Sequence, residues 1–209
     1  MKRIVEPEIL DGLAEDDPRA VRSRGDLRFI NLMMGGERWI VRAVSQFSQA
    51  TTVVDLGAGE GRLANRIKRA YPQLDVVAVD LHARPPGLDT GIRWLQGDAL
   101  DGNLHFGRDA IVVANLFLHH FGESQLEQLG QRFSDVGGWL CHEPHRSAGA
   151  LFWGRLLLPF VGSVTRHDMM VSIRAGFVPD ELRKVIGTSG DWSEAVSTFG
   201  GLRSKVVCV

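Results

Sequence analysis

Residues 52–70 carry an apolar run, then three glycines in five residues, then an amphipathic segment. Thr52-Val53-Val54-Asp55-Leu56 reads as a strand, Gly57 to Gly61 as a tight turn, and Arg62 to Ala70 as a helix with Leu63, Ala64 and Ile67 on one face. Residues without side chains let the backbone bend sharply and approach a ligand closely. The unpaired N–H groups that open the following helix face an anionic part of such a ligand.

The pattern repeats downstream. Short apolar runs at Asp75–Val79, Gly91–Gln96, Ala110–Ala114 and Gly138–His142 predict four more strands, and Ser124 to Phe133 predicts a helix. Strands alternating with helices imply βαβ units and a mostly parallel sheet. The first fifty residues hold no β-rich run. Asp16 and Asp17 before Pro18 can cap a helix carrying Val21, Leu27, Ile30, Met33 and Met34. Gly35-Gly36 interrupts it, and a second helix is expected from Glu37 to Phe47, with Trp39, Ile40, Ala43, Val44 and Phe47 inward. This part reads as a helical cap. After His145 the alternation breaks: Ala148 to Phe160 is apolar, and Ser163 to Arg174 is polar. Pro179 to Ile186 reads as a helix with proline in its first turn, and Trp192 to Val209 as a two-strand hairpin.

Composition bounds the function. A chain of 209 residues suits one domain, or one with a small cap, and 44% hydrophobic with 23% charged residues excludes wholesale disorder. Lys and Arg number 24 against 25 Asp and Glu, so no positive field is available for a phosphate backbone and no nucleic-acid partner is expected. Two cysteines, Cys141 and Cys208, cannot staple a fold and read as small core residues. The N-terminal residues lack the apolar core of a secretion signal, and Ala150 to Val164 is too short to span a membrane. A cytoplasmic location without stable membrane insertion is the expectation.

The glycine spacing separates two ligands. A dinucleotide fingerprint starting at Gly57 needs glycine at 62, where Arg62 stands, which argues against a nicotinamide-dependent oxidoreductase. Asp55-x-Gly57-x-Gly59-x-Gly61 instead resembles the first motif of class I S-adenosylmethionine (SAM)-dependent methyltransferases. Asp80 ends the second strand, where a carboxylate can accept from both ribose hydroxyls; Asp98 follows the third, where one can accept from an adenine amino group. The resemblance covers residues 51–145. It implies one methyltransferase domain over 1–209, with a cap at 1–50, the SAM-binding core at 51–145, an inserted lid at 146–176 and a C-terminal helix and hairpin at 177–209. It implies a Rossmann-like, mostly parallel seven-stranded α/β sheet with SAM as cofactor. Asp55 is implied near the methionine part, Asp80 on the ribose, and Asp98 with the Ala99 backbone on the adenine; Gly57, Ala58, Gly59, Leu81 and Asn115 complete the cofactor side.

The acceptor belongs at the carboxyl edge of the fourth strand. Asn115-Leu116-Phe117-Leu118-His119-His120-Phe121 lacks the Asn/Asp-Pro-Pro-aromatic motif of enzymes that methylate amino groups of bases or glutamine. It resembles small-molecule methyltransferases of the quinone-biosynthesis type. Asp26-Leu27-Arg28-Phe29-Ile30-Asn31, Glu143-Pro144-His145-Arg146-Ser147 and Phe177-Val178-Pro179-Asp180-Glu181-Leu182 resemble a bacterial subset of that superfamily. This implies a phenolic, quinonoid or polyketide-like acceptor, aromatic or lipophilic in character.

A phenol ionises near pH ~10, and a histidine can take its proton at neutral pH. His167, followed by Asp168 on the inserted lid, is the first candidate for that base, and His120 the second. Asp168 would stabilise the charged imidazole. His119, His120, Glu143 and His145 lack ordered metal-ligand spacing, so no metal is expected. The apolar half of the insertion has three readings: packing on the N-terminal helices, a pocket wall for a greasy substrate, or contact with a membrane surface. A SAM-binding protein without transfer activity stays open beside the enzyme, because no motif fixes a catalytic group.

Overall fold

The computed structural model describes residues 1–14, 16–101 and 104–208. Its centre is a seven-stranded sheet in the order β3-β2-β1-β4-β5-β7-β6. The strands are β1 (Thr52–Leu56), β2 (Asp75–Asp80), β3 (Ile92–Gln96), β4 (Ala110–Asn115), β5 (Gly138–Pro144), β6 (Gly190–Val196) and β7 (Gly201–Cys208). β1 to β5 pair in parallel, and the β6–β7 hairpin adds antiparallel to β5. The mostly parallel sheet with its terminal hairpin is therefore as the sequence implied. Order reverses between β1 and β4, which opens a crevice at their carboxyl ends.

Alternation along each strand fills two cores. On one face Val53, Val76, Ala78, Ile111, Val113 and Leu140 meet Ile40, Ala43 and Val44 of α2 (Gly36–Val44) and Leu63, Ala64 and Ile67 of α3 (Arg62–Ala70). On the other, Val54, Leu56, Val77, Val112, Ala114 and Cys141 meet Leu126 and Leu129 of α4 (Glu123–Arg132). A third cluster joins Ile30 of α1 (Pro18–Met34) to Ala150 of α5 (Ala148–Leu157) and to Met169 and Ile173 of α6 (Ser163–Ala175). α1 and the insertion thus form one roof over the crevice. Asp17 caps α1 by accepting from the Arg19 N–H, and Gly35 ends it at φ 68°.

Several boundaries differ from the sequence reading. α2 stops at Val44, because the chain turns at Ser45 towards β1. The last helix, α7 (Glu181–Ile186), starts two residues after Pro179; Asp180 is held at φ 66° and its N–H donates to Glu194 Oε2 at 2.5 Å. β5 runs on to Pro144 because β7 pairs with it as far as Gly201. Val209, expected in the hairpin, lies outside the described residues.

Candidate functional site

A cavity of about 1260 Å³ occupies the crevice beneath the roof. Asp55, Gly57, Ala58, Gly59, Asp80, Leu81, Asp98, Ala99 and Asn115 all line it. The glycine loop is bound to the sheet, since Gly57 and Ala58 N–H both donate to the Val79 carbonyl. Gly57, Gly59 and Gly61 have φ of 66°, 52° and 70°, which side chains rarely adopt. A Cβ at Gly57 would also fall 2.1 Å from the Phe117 ring, whereas at Gly59 it would meet nothing within 4 Å. At Gly59 the loop presents bare backbone to open space.

Three carboxylates stand around this space. Asp55 is buried, and its Oδ2 has no hydrogen-bond partner. Burial pushes its carboxyl up to about 8, and the charges of Glu37 and Asp80 act the same way against one backbone bond from Ala64. Asp80 accepts from Gly59 N–H at 2.7 Å on Oδ2 and from His82 N–H at 2.9 Å on Oδ1. Asp98 accepts from Leu100 N–H at 2.9 Å.

The other end of the cavity is built from the segment after β4. Leu116 takes φ 54°, a left-handed conformation costly for a side-chain-bearing residue, and swings Phe117 to His120 back across the sheet edge. Glu143, fully buried in β5, fixes this turn by accepting from Phe117 N–H (3.0 Å), Leu118 N–H (2.9 Å) and His119 Nδ1 (2.8 Å). His119 Nε2 faces Glu8 Oε1 at 3.6 Å. Burial opposes charge on His119, but bonding to Glu143 and Glu8 outweighs it and lifts the imidazole to about 9. His120 stacks on it with ring centroids 4.3 Å apart. Burial, then the His119 charge, lower the His120 pKa, so its ring is held neutral. Leu27, Ile30, Met33, Trp153, Leu157 and Ile173 supply an apolar wall.

The structure puts the other expected catalytic pair elsewhere. Met169, Ser172 and Ile173 form the cavity face of α6, and neither His167 nor Asp168 lines the cavity. His167 is two residues from Met169, on the opposite face of the helix. Its imidazole is half exposed and pairs with Asp168 at 3.0 Å. Asp168 is buried because it accepts the N–H groups of Ile9 (2.9 Å) and Leu10 (3.0 Å), pinning the N-terminal segment. The helical face that a lid histidine presents is set by packing, which sequence spacing alone left open. Of the apolar half, Ala150, Trp153, Gly154, Leu156 and Leu157 do line the cavity.

Residues 53–136 match the family model of a methyltransferase domain. The match spans 84 of the 209 residues and supports the resemblance to class I SAM-dependent methyltransferases. An uncharacterized methyltransferase of Mycobacterium bovis is 36% identical over 85 residues, 37% of this chain and 43% of that protein. The tetracenomycin polyketide synthesis 8-O-methyl transferase of Streptomyces glaucescens is 30% identical over 122 residues, 54% of this chain and 35% of that one. The chain therefore spans less than half the length of these relatives. Among solved structures, the plantazolicin methyltransferase BpumL in complex with SAH superposes with a TM-score of 0.70 at 11% identity, covering 92% of this chain and 91% of that one. Human N-acetylserotonin methyltransferase in complex with SAM gives a TM-score of 0.61 at 17% identity, covering 95% and 61%. These likenesses show the fold.

Some cavity residues escape sequence reasoning. Glu8, Leu10, Asp11 and Leu13 reach the cavity from an N-terminal strap with no periodic signal. Arg3 ties that strap down by donating to the carbonyls of Ala175 (2.7 Å) and Phe121 (2.8 Å). Glu37 stands behind the glycine loop, held by Arg66 at 2.8 Å. Glu143 had a signal, a carboxylate at the end of a strand that points into the crevice. Of the four residues weighed for a metal, His119 and His120 group with Glu8, whereas Glu143 and His145 do not join them.

Proposed function

We propose that this chain is an enzyme that binds SAM on the Asp55–Asp98 side of the cavity and methylates an oxygen or carbon of a small lipophilic acceptor on the apolar side. The acceptor is phenolic, quinonoid or polyketide-like. The observation that carries the reading is the unpartnered, buried Asp55 Oδ2 beside a bare glycine backbone, in one cavity with Asp80 and Asp98. An orphaned buried carboxyl oxygen is costly unless a donor fills it, and the ammonium of a methionine moiety is such a donor. Asp80 would hold the ribose hydroxyls, and Asp98 with the Ala99 backbone the adenine. Leu81 and Asn115 would close the sides.

SAM, when bound, supplies a sulfonium methyl open to in-line displacement. The chain's own task is to align an acceptor within about 3–3.5 Å, exclude water and take a proton. His120 is the proton acceptor in this reading, because it faces the cavity while His119 is committed to Glu143 and Glu8. Leu27, Ile30 and Trp153 would clasp the acceptor's apolar body. The relatives' names fit such an acceptor, one of them acting in polyketide synthesis.

The test pairs binding with turnover. Calorimetry should show saturable binding of SAM and no comparable binding of NAD. Mass spectrometry against a panel of phenols and quinols should show a gain of one methyl group. His120→Ala should lower turnover by about 10²–10⁴-fold with SAM affinity nearly intact. Tighter NAD binding, or no methylated product from any panel member, would sink the proposal.

A further inference from the structure

Glu8, His119 and His120 each place one metal-competent atom within 4.8 Å of the others. The donors come from two distant stretches of chain, which meet only because the N-terminal strap is pinned over the turn after β4. Asp168 and Arg3 make that pinning specific.

Orientation, not proximity alone, marks the cluster. Glu143 accepts a hydrogen bond from His119 Nδ1 at 2.8 Å and so aims Nε2 at Glu8. A carboxylate that holds one ring nitrogen while the other faces outward is the usual support of a metal-bound histidine. Glu8 is itself steadied by the Ser172 hydroxyl. Two imidazoles and one carboxylate suit zinc-type ions, which take three protein ligands and keep a fourth position open when they act on a substrate. All three residues line the same cavity as the proposed acceptor space. Along the chain these donors carry no ligand signature, because adjacent histidines and one remote glutamate make no recognisable spacing.

We infer that Glu8, His119 and His120 form a binding site for a divalent transition-metal ion, zinc foremost, with Glu143 as its positioning residue. The site stands independently of which acceptor the enzyme uses. An ion there engages the His120 imidazole that otherwise takes the acceptor's proton, and offers its own open position to an acceptor oxygen.

The experiment is a zinc titration of the full chain, stripped with a chelator and free of SAM and acceptor, followed by calorimetry and by competition with a chromophoric chelator. One ion per chain should bind at micromolar concentration or below. Glu8→Gln and His120→Asn should each weaken binding at least tenfold, Glu143→Gln should weaken it by about 10–100-fold, and His105→Ala on the surface should leave it unchanged. Circular dichroism checks that each variant is folded. Cobalt(II) should give the visible absorption of a four-coordinate site in the wild type and lose it in Glu8→Gln. No saturable zinc binding, or equal binding in the folded Glu8→Gln and His120→Asn variants, overturns the site. That result leaves the transfer reading untouched, since that reading is measured by methylated product.

Discussion

Arg28 of α1 grips Glu60 of the glycine loop, its Nε donating to Oε2 at 2.9 Å while its terminal nitrogen pairs with Oε1. Both residues line the cavity, so the contact bridges roof and loop across the proposed cofactor space. The guanidinium holds the Glu60 carboxyl below its ordinary range. An ion pair this exposed contributes ~0–1 kcal/mol to folding; its importance lies in where it sits. Arg28→Ala should leave the melting temperature nearly unchanged and speed SAM dissociation several-fold in stopped flow. High salt should mimic the variant. Equal off-rates in variant and wild type would remove the latch.

Asp80 is the second test. Its carboxylate already tethers the loop through Gly59 N–H at 2.7 Å and the following turn through His82 N–H at 2.9 Å. A carboxylate has about four acceptor sites, so capacity remains for a ribose hydroxyl. Charge-assisted bonds contribute about 1.5–3 kcal/mol each. Asp80→Ala should therefore weaken SAM binding at least tenfold by calorimetry. An unchanged dissociation constant in a folded variant refutes the ribose role.

In the proposed site, Asp55 should make SAM binding depend on pH. Its folded pKa of about 8 lies above the unfolded value of about 3.9. In the ligand-free chain this group's contribution to stability is fully present below pH about 4 and is lost as pH rises through about 8. A cationic ligand beside Oδ2 favours the carboxylate, so at pH 7 SAM binding should release close to one proton and tighten towards pH 8. Calorimetry in two buffers of different ionisation enthalpy measures that release. Asp55→Asn should abolish it, and a wild type that releases no proton would separate Asp55 from the ligand.

The gathering of Asp55, Asp80, Asp98 and Asn115 around one cavity was legible because these residues sit at strand ends. The periods of β1 to β5 fix those ends, and the parallel topology gathers Asp55, Asp80, Asp98 and Asn115 at one edge. The acceptor side was not. Which face of α6 looks inward depends on how the helix packs on Ile30 and Ala150, so His167 and Ser172 could not be told apart from spacing. Glu8 reaches the cavity only because side chains far along the chain, among them Asp168, bind its neighbours' backbone. Such long-range capping leaves no periodic trace in the sequence.

His142 gives the last prediction, one of stability. It lies on β5 between Gly36 and Gly201, whose added Cβ atoms would fall 2.0 Å from Nδ1 and 2.4 Å from Nε2. Nδ1 faces Asn115 Oδ1 at 3.0 Å, and Nε2 has no partner. Burial holds the imidazole down at about 4, with the Arg203 charge acting the same way and the Glu143 charge opposing it. The folded pKa is thus below the unfolded value of about 6.5. Its contribution is fully present above pH about 6.5 and is lost as pH falls through about 4. The loss is on the order of 3 kcal/mol. Asp55 acts in the opposite sense over this window, so urea unfolding from pH 7 to 4 should compare the wild type with His142→Gln, and the stability difference between them should shift against the wild type as pH falls. Gly36→Ala should cost about 1–3 kcal/mol by displacing the ring. Asn115 also donates to Asn31 Oδ1 of α1 at 3.3 Å, so protonating His142 disturbs a contact between β4 and the roof. A difference between wild type and His142→Gln that stays constant from pH 7 to 4 would show that the ring is not held neutral in this packing.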